Sequence, residues 1–571
     1  MQKLHSRTAA YRSGVMALAG IHRARLAPFL LVLAAGLAGG NLPLALGEQQ
    51  VTGDITEVPP ATASLESRID TELLAAAGSQ PDWQLLRAFY SSRDYLPVWT
   101  DGEALRHESY FVVDQLARSA EDGLFPEEYH LSEIRRLLDA ASSTGQGSML
   151  ELLLTDGLLR YIRDIRSGRL EPGVADAEWH IRPSITDPVD VLTAIVRSDS
   201  IRDALQDLPP RHSGYRRLKS LLQAYRSLES TGGWPIIPFG EVLEKGMYDQ
   251  RVHLLRHRLM LAGGPTEFDY RDSFQFDEAL ESAVRDFQER HGLEADGIVG
   301  RKTLAALNVP VSERIQQILL NMERWRWMPG ELGERYLLVN MAGFELLAVE
   351  NEETVMDMRV IIGRPYRSTP AFAGEMRYLV LNPYWNVPHK LAIEDLLPKQ
   401  QSDPDYLQDK GFRVYASWRK GARELDPASL DWSTFTQETF GYRLRQDPGD
   451  SNSLGRIKFM LPNPHAIYLH DTPSRHLFRH PVRTFSSGCI RVEKPVQLAN
   501  FVLGETAGVS GIDVQEAIET GENRTVSLPR TIPVYLLYLT SWVDDKGRAQ
   551  FRDDVYGRDV LVQRAWGVGS G

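Results

Sequence analysis

The spacing of apolar residues changes once along this chain, near Arg335, and that change limits the folds that the chain can adopt. Upstream, over about residues 65–229 and again over 252–307, apolar residues recur every three or four positions, which is typical of helices with one buried face. Downstream, short apolar runs such as 336–340 and 356–362 are separated by polar turns, which is typical of strands. We therefore predict a multidomain α+β protein with a helical scaffold, a small three-helix module and a mostly-β domain whose sheet is closed or sandwich-like. The predicted boundaries are 1–47 for a leader, 48–64 for a linker, 65–240 for the scaffold, 241–312 for the module and 335–560 for the β domain.

A polar stretch at residues 400–453 interrupts the strand-like runs of the predicted β domain. It contains the turn sequences Asp403-Pro404 and Asp447-Pro448-Gly449, and it is longer than ordinary loops. We predict an inserted, lid-like subdomain. It could gate access to a neighbouring cleft or play no part in function, and both interpretations stay open.

The predicted leader carries basic side chains and no acidic one before Glu48, and an apolar run follows at residues 26–37. This pattern is typical of a secretory signal or a membrane anchor. Small residues at Ala45 and Gly47 favour cleavage, whereas retention of an apolar run extended to Leu46 would anchor the chain. In either case we expect export to a periplasm, with inner-membrane association in the second case.

Charge and motif content restrict the partners. The formal net charge is −12 and becomes more negative once the basic leader is removed, which argues against a nucleic-acid partner. No glycine-rich phosphate-binding sequence occurs in the expected context. His476 and His480 stand four apart, as zinc ligands on a helix do, but Pro473 and Pro481 flank them and no further ligand has a recognisable spacing. These patterns favour neither a metal site nor a phosphate-binding loop.

Cys489 is the only cysteine in 571 residues, so the chain cannot form an internal disulfide. It lies 19 positions after His470, which ends a strand-like run. A thiol with a pKa of about 8.5 is mostly protonated at neutral pH, and a nearby imidazole can remove its proton. We predict that Cys489 is a nucleophile and that His470 is its base; a buried, inert thiol is the alternative.

The sequence around the thiol, Ser486-Ser487-Gly488-Cys489-Ile490-Arg491, predicts a tight turn. Backbone N–H groups at Gly488 and Cys489 can stabilise negative charge on the oxygen of an acyl carbonyl. Ser487 is predicted to shape the turn. Arg491 adds positive potential near a thiolate or holds a substrate carboxylate, unless it forms a structural salt bridge.

Residues 247–308 carry an ordered set of short motifs: an apolar-spaced helix, Ala283-Val284 with Phe287-Gln288, the glycine-containing turn 292–300, and Thr303 with Leu307-Asn308. In this order they resemble a peptidoglycan-binding module. The resemblance implies binding to glycan strands, or a fold that persists after binding has been lost.

A second resemblance rests on His470-Asp471-Thr472 followed by the turn at 486–492, and on motifs that precede them. Together with a closing hairpin over 540–557, this order is similar to the L,D-transpeptidase catalytic domain of the YkuD type. The preceding motifs are Ile362-Gly363-Arg364, Ser368-Thr369-Pro370 and Asn382 through Pro388.

The resemblance implies a β-rich fold and a thioester mechanism on peptidoglycan stem peptides. Cys489 would attack the carbonyl of the third residue of a donor tetrapeptide, expel the terminal D-alanine, and pass the acyl group to the side-chain amine of a second stem. The product would be a 3→3 cross-link, with a role in cell-wall biogenesis and cell shape. The resemblance also implies acylation by carbapenem-type inhibitors and no cofactor.

Two positions depart from the commoner pattern of the family: Ser487 stands where many members have histidine, and Asp471 follows His470 where others have glycine or serine. The group that orients His470 is therefore open. It is either a backbone carbonyl or the Asp471 carboxylate, although neighbouring side chains on a strand point to opposite faces.

Three aromatic or polar residues are candidates for the stem-peptide groove. Tyr468 shares the face of His470 on a regular strand, and Trp385 and Asn386 lie in the motif that precedes it. Aromatic residues in strands are also common core residues, so that alternative stays open. The acceptor is open as well: an L,D-carboxypeptidase would use water and a protein-attaching enzyme another amine, and a non-catalytic wall-binding protein is a further possibility.

Overall fold

The computed structural model describes residues 65–70, 82–140, 146–184, 186–264, 273–504 and 513–567. The predicted leader and linker lie outside these ranges. Within them, no helix is both long enough and apolar enough to cross a membrane.

The N-terminal region is helical, as predicted. Its central helix, Gln146–Ser167, is buried along most of its length and packs against several of its neighbours. The buried Glu151 carboxylate on this helix accepts the backbone N–H groups of Val98, Trp99 and Thr100 at 2.6, 2.8 and 2.9 Å, so a charged residue ties a loop to the core. The helices of this region span Leu65–Asp70, Trp83–Ser91, Ser109–Arg118, Leu131–Asp139, Gln146–Ser167, Pro172–Ala175, Pro188–Arg197, Ile201–Gln206 and Ser213–Ser230, with short strands β1 at Thr100–Asp101 and β2 at Ala104–Leu105.

A small module with its own apolar core follows, built on the helices Arg251–Leu261, Glu278–Arg290 and Arg301–Leu307. The Asp277 side chain caps the second helix by accepting the N–H of Leu280 at 2.8 Å. The chain enters and leaves the module at one place, because Ile237 and Asn308 exchange hydrogen bonds of 2.9 and 2.8 Å. The helix Val311–Arg326 then leads into the β domain.

The β domain is built on a sheet that closes on itself. The strands of the domain are β3 Arg335–Asn340, β4 Glu345–Glu350, β5 Glu353–Gly363, β6 Phe372–Leu381, β7 Trp385–Asn386, β8 Phe412–Tyr415, β9 Glu424–Leu425, β10 Arg443–Gln446, β11 Ile457–Met460, β12 Leu469–His470, β13 Thr484–Ser486, β14 Ile490–Val492, β15 Arg524–Leu537, β16 Ser541–Val543 and β17 Ala549–Phe551. The strand order of the large sheet is β13-β5-β14-β12-β11-β6-β15-β3-β4, and β4 pairs again with β5, so the sheet has few free edges. This agrees with the predicted closed architecture. Helices Pro495–Leu503, Val514–Glu519 and Arg558–Ala565 complete the domain.

The predicted insertion is a subdomain with a four-stranded sheet, in the order β7-β10-β8-β9, and a core of its own. It begins upstream of the predicted residue 400. Trp385 and Asn386 already pair with Gln446 and Arg445, because a strand segment next to Pro383 joins this sheet and not the large one. Its helical segments are His389–Leu391, Ala392–Leu396, Leu397–Ser402 and Tyr406–Asp409.

The helical region and the β domain share one continuous apolar core, which runs from Ile69 to Trp566. The last helix contributes to it from the far end of the chain: the Trp566 ring lies 6.4 Å from Phe125, and Arg324 binds Asp559 at 2.5 Å. The predicted scaffold therefore does not bury its apolar surface alone.

Candidate active site

Two neighbouring parallel strands bring the predicted nucleophile and base onto one face of the sheet. In the pairing of β12 with β14, Leu469 lies opposite Ile490 and His470 opposite Arg491. Side chains alternate along a strand, so Tyr468, His470, Cys489 and Arg491 share a face. The sequence-predicted residues are thus neighbours because the strands pair in this register.

His470 is a neutral, oriented imidazole. Its Nδ1 lies 2.5 Å from the backbone oxygen of Asp471, and because a carbonyl can only accept, Nδ1 carries the proton and Nε2 is the unprotonated nitrogen of the neutral ring. Burial, assisted by the positive charge of Arg491, lowers the pKa of His470 to about 3. The ring is therefore uncharged at neutral pH.

The Asp471 carboxylate does not orient the imidazole. It is buried and accepts the N–H groups of Arg456 and Thr472 at 2.8 and 2.7 Å, and it binds the Arg475 guanidinium at 2.6 Å. Of the two groups left open by the sequence, the one in contact with His470 is the backbone carbonyl. The carboxylate holds the surrounding loops instead.

Cys489 is half-buried, and its thiol is protonated in this resting arrangement. Burial raises the pKa of Cys489, while hydrogen bonds from Tyr468 and the charges of Lys458 and Arg491 act in the opposite direction. The sulfur lies 3.9 Å from the backbone oxygen of Ala466. Among the described residues no hydrogen bond joins this thiol to His470.

Lys458 is a site residue that the sequence did not indicate. It lies opposite His470 in the antiparallel pairing of β11 with β12, and its ammonium is 3.9 Å from the centre of the Tyr468 ring. Burial lowers the pKa of Lys458, and the pKa of Arg491 is lowered by burial and by Arg364. Both cations face the position where a thiolate would form.

The turn before Cys489 has a backbone conformation that favours glycine. Gly488 has a φ of +118°, which L side chains rarely adopt. Its N–H donates to Ser486 Oγ at 3.1 Å, and that hydroxyl in turn donates to the Cys489 oxygen at 2.6 Å. The Gly488 N–H would have to leave Ser486 before it could act as the predicted oxyanion donor, so that role stays a prediction.

Ser487 connects the turn to the subdomain. Arg367 Nη1 donates to Ser487 Oγ at 3.0 Å, and the same guanidinium binds Asp395 at 2.7 Å and Glu394 at 2.6 Å. Glu394 and Asp395 belong to the segment Ala392–Leu396 of the subdomain. No local sequence pattern indicates Arg367, because its partners lie 27, 28 and 120 positions away.

The structure places the three predicted groove residues in two locations, and their role in the groove stays a prediction. Tyr468 lies beside the thiol, and burial followed by the Cys489 charge raises its pKa. Trp385 instead packs on the core of the subdomain, with its ring 5.9 Å from Phe412, and Asn386 is exposed on the subdomain sheet. The structure brings neither into contact with Cys489 or His470, as their places in the subdomain sheet explain.

Comparisons with known proteins find a scaffold domain in the predicted helical region and confirm the two resemblances that the sequence motifs indicated. Family models match at residues 84–222 ("Scaffold domain"), 249–307 ("Putative peptidoglycan binding domain") and 334–528 ("L,D-transpeptidase catalytic domain"). A "Putative L,D-transpeptidase" of Haemophilus influenzae is 35% identical over 270 residues, which are 46% of this chain and 53% of that protein. The chain therefore spans about half the length of this curated relative.

Solved structures give weaker similarity. An L,D-transpeptidase of Xylanimonas cellulosilytica is 16% identical, covers 52% of this chain and 99% of its own, and has a TM-score of 0.17. One from Stackebrandtia nassauensis is 14% identical, covers 53% and 96%, and has a TM-score of 0.20.

Proposed function

We propose that this chain is a peptidoglycan L,D-transpeptidase that forms 3→3 cross-links through a thioester on Cys489. The observation that carries the proposal is the placement of the only cysteine on one sheet face with a neutral, backbone-oriented imidazole, inside the region matched by the catalytic-domain model. Peptidoglycan is the proposed substrate, since a second region matches a peptidoglycan-binding model. Both assignments also favour export to the cell wall.

The first half-reaction starts from a neutral thiol and a neutral imidazole. His470 Nε2 takes the proton of the Cys489 thiol as the sulfur attacks the carbonyl carbon of the third stem residue. The C–N bond to the terminal D-alanine breaks, and the imidazolium returns the proton to the leaving amine. A thioester and free D-alanine result, and His470 is neutral again.

In the second half-reaction an amine attacks the thioester. His470 takes a proton from the side-chain amine of a second stem, the C–S bond breaks, and the thiolate recovers the proton. Lys458 and Arg491 lie where they stabilise the thiolate that forms in each half-reaction. Arg491 Nε is buried and has no hydrogen-bond partner among the described residues. In the proposed mechanism the Arg491 guanidinium interacts either with this thiolate or with a substrate carboxylate.

The test is to incubate the protein with purified disaccharide-tetrapeptide and to identify products by mass spectrometry. Cross-linked dimers together with a thioester adduct on Cys489 support the proposal. Shortened monomers without dimers indicate an L,D-carboxypeptidase, and transfer only to an added protein indicates wall attachment. Cys489→Ala must abolish all products and any carbapenem adduct; dimers formed by that variant would refute the mechanism.

A second arm tests binding to the wall. The full chain should co-sediment with purified sacculi, and Cys489→Ala should sediment equally because the module has a core separate from the catalytic site. A chain that sediments but never acylates would be a non-catalytic wall-binding protein.

A further inference from the structure

The acyl carbonyl oxygen needs a hydrogen-bond donor beside Cys489, and the turn leaves one such donor on the cysteine itself. The Gly488 N–H is already bound to Ser486 Oγ. The Cys489 N–H has no acceptor among the residues that the structure describes. Oxyanion stabilisation in the proposed reaction therefore depends on where the Cys489 N–H points.

Thr369 controls the other side of that peptide group. Its hydroxyl donates to the Gly488 oxygen at 2.7 Å and accepts the N–H of Gly363 at 3.0 Å. Thr369 is fully buried, so water does not compete for either bond. The Gly488 oxygen is thereby held toward the protein interior.

The peptide bond between Gly488 and Cys489 is planar, and in a trans peptide the C=O and N–H point in opposite directions. Fixing the Gly488 oxygen on Thr369 therefore aims the Cys489 N–H away from the buried side, toward the half-exposed side that carries the thiol. We propose that Thr369 is a positioning residue that sets the oxyanion-binding direction of the Cys489 N–H; this inference rests on the proposed acyl transfer.

Thr369 is itself held rigidly, which a positioning residue requires. Its backbone oxygen accepts from Arg558 Nη2 at 2.9 Å, and its N–H lies 3.4 Å from the Tyr556 hydroxyl. The same hydroxyl donates to the Gly363 oxygen at 2.6 Å. A flip of the Gly488–Cys489 peptide would break the Thr369 bond without any replacement in this buried position.

The spacing at Gly363 explains why the turn and Thr369 can approach each other. A Cβ added at Gly363 would lie 2.2 Å from the Arg367 oxygen and 3.1 Å from the Gly488 Cα. Glycine at this position lets the loop that carries Thr369 pack directly on the nucleophile turn. The contact is therefore built into the backbone path and not only into one side chain.

The experiment compares two reactions of the same thiol. Iodoacetamide alkylates Cys489 without an oxyanion, whereas meropenem and disaccharide-tetrapeptide acylate it through one. Both rates are measured by intact-mass spectrometry on the full chain for wild type, Thr369→Val, Thr369→Ala and Thr369→Ser. Ser368→Ala is the matched control, because the Ser368 hydroxyl forms no hydrogen bond among the described residues.

We expect Thr369→Val and Thr369→Ala to lower the acylation rate by about tenfold to a hundredfold while alkylation stays within about twofold of wild type. Thr369→Ser should restore acylation, since it keeps the hydroxyl, and Ser368→Ala should match wild type. If the ratio of acylation to alkylation is unchanged in Thr369→Val and Thr369→Ala, whether both rates stay the same or both fall equally, the positioning role is overturned. Wild type that is alkylated but never acylated would instead refute the proposed function.

Discussion

Replacing His470 with asparagine should remove part of the acid sensitivity of the fold. The imidazole is buried, and its pKa is lowered to about 3, whereas an unfolded chain has a histidine pKa of about 6.5. Between these two values the unfolded chain binds a proton that the folded chain does not. Stability contributed by the neutral ring is therefore complete above pH 6.5 and is lost as the pH falls toward 3.

The size of the effect follows from the two pKa values. At pH 4.5 the folded imidazole stays unprotonated, and protonation of the unfolded chain two units below its pKa costs about 3 kcal/mol of folding free energy. Asparagine has no charge at either pH and can still donate to the Asp471 oxygen. The free energy of unfolding of the variant should therefore gain about 3 kcal/mol relative to wild type between pH 7.5 and 4.5.

Urea denaturation followed by tryptophan fluorescence at pH 7.5, 6.0 and 4.5 measures this difference. Other buried histidines, such as His291, whose pKa is lowered by burial, are present in both proteins and cancel. Parallel stability–pH curves for wild type and His470→Asn would refute the assignment of a buried, neutral imidazole.

Three further predictions follow from the site and the module. Because burial raises the pKa of Cys489, the rate of its alkylation by iodoacetamide should keep rising above pH 8.5, and a plateau near pH 7 would contradict this. Lys458→Met should slow alkylation roughly tenfold at pH 8, whereas the control Lys494→Met should not. Arg367→Met should lower the acylation rate about tenfold, because it breaks the connection from Ser487 through Arg367 to Glu394 and Asp395. Arg377→Met, whose partner Glu375 is exposed, should not lower it. Equal acylation rates in Arg367→Met and wild type would exclude a role for the connection. Replacing residues 238–307 with a short glycine linker should leave meropenem acylation of the remaining chain intact, because Ile237 and Asn308 are adjacent, although the contacts of Asp286 with Arg548 and of His291 with Phe551 are lost. Sedimentation with sacculi should be lost, and a product that no longer acylates would contradict the insertion-like geometry.

The sequence supported the fold class and the pair Cys489 and His470, because both depend on local patterns: the change of period near Arg335 and a turn motif after a strand. Lys458 could not be predicted as a site residue, because its place beside His470 depends on the pairing of β11 with β12, which no local pattern encodes. The contact of Arg367 with the nucleophile turn could not be predicted for the same reason, since its partner Ser487 lies 120 positions away. The position of Trp385 could not be predicted either, because it depends on the pairing of its strand with β10 of the subdomain; its role in the groove stays a prediction.

The core shared by the helical region and the β domain also sets an order of events during synthesis. The helical surface near Phe125 and Arg169 is covered by Trp566, whose backbone oxygen accepts a hydrogen bond from Arg169 at 3.4 Å. More than 300 residues separate the end of the helical region from Trp566. At ordinary elongation rates the gap lasts roughly twenty seconds to a minute. Throughout that interval the helices hold uncovered apolar surface. We therefore expect this part of the shared core to form only after Trp566 has been synthesised.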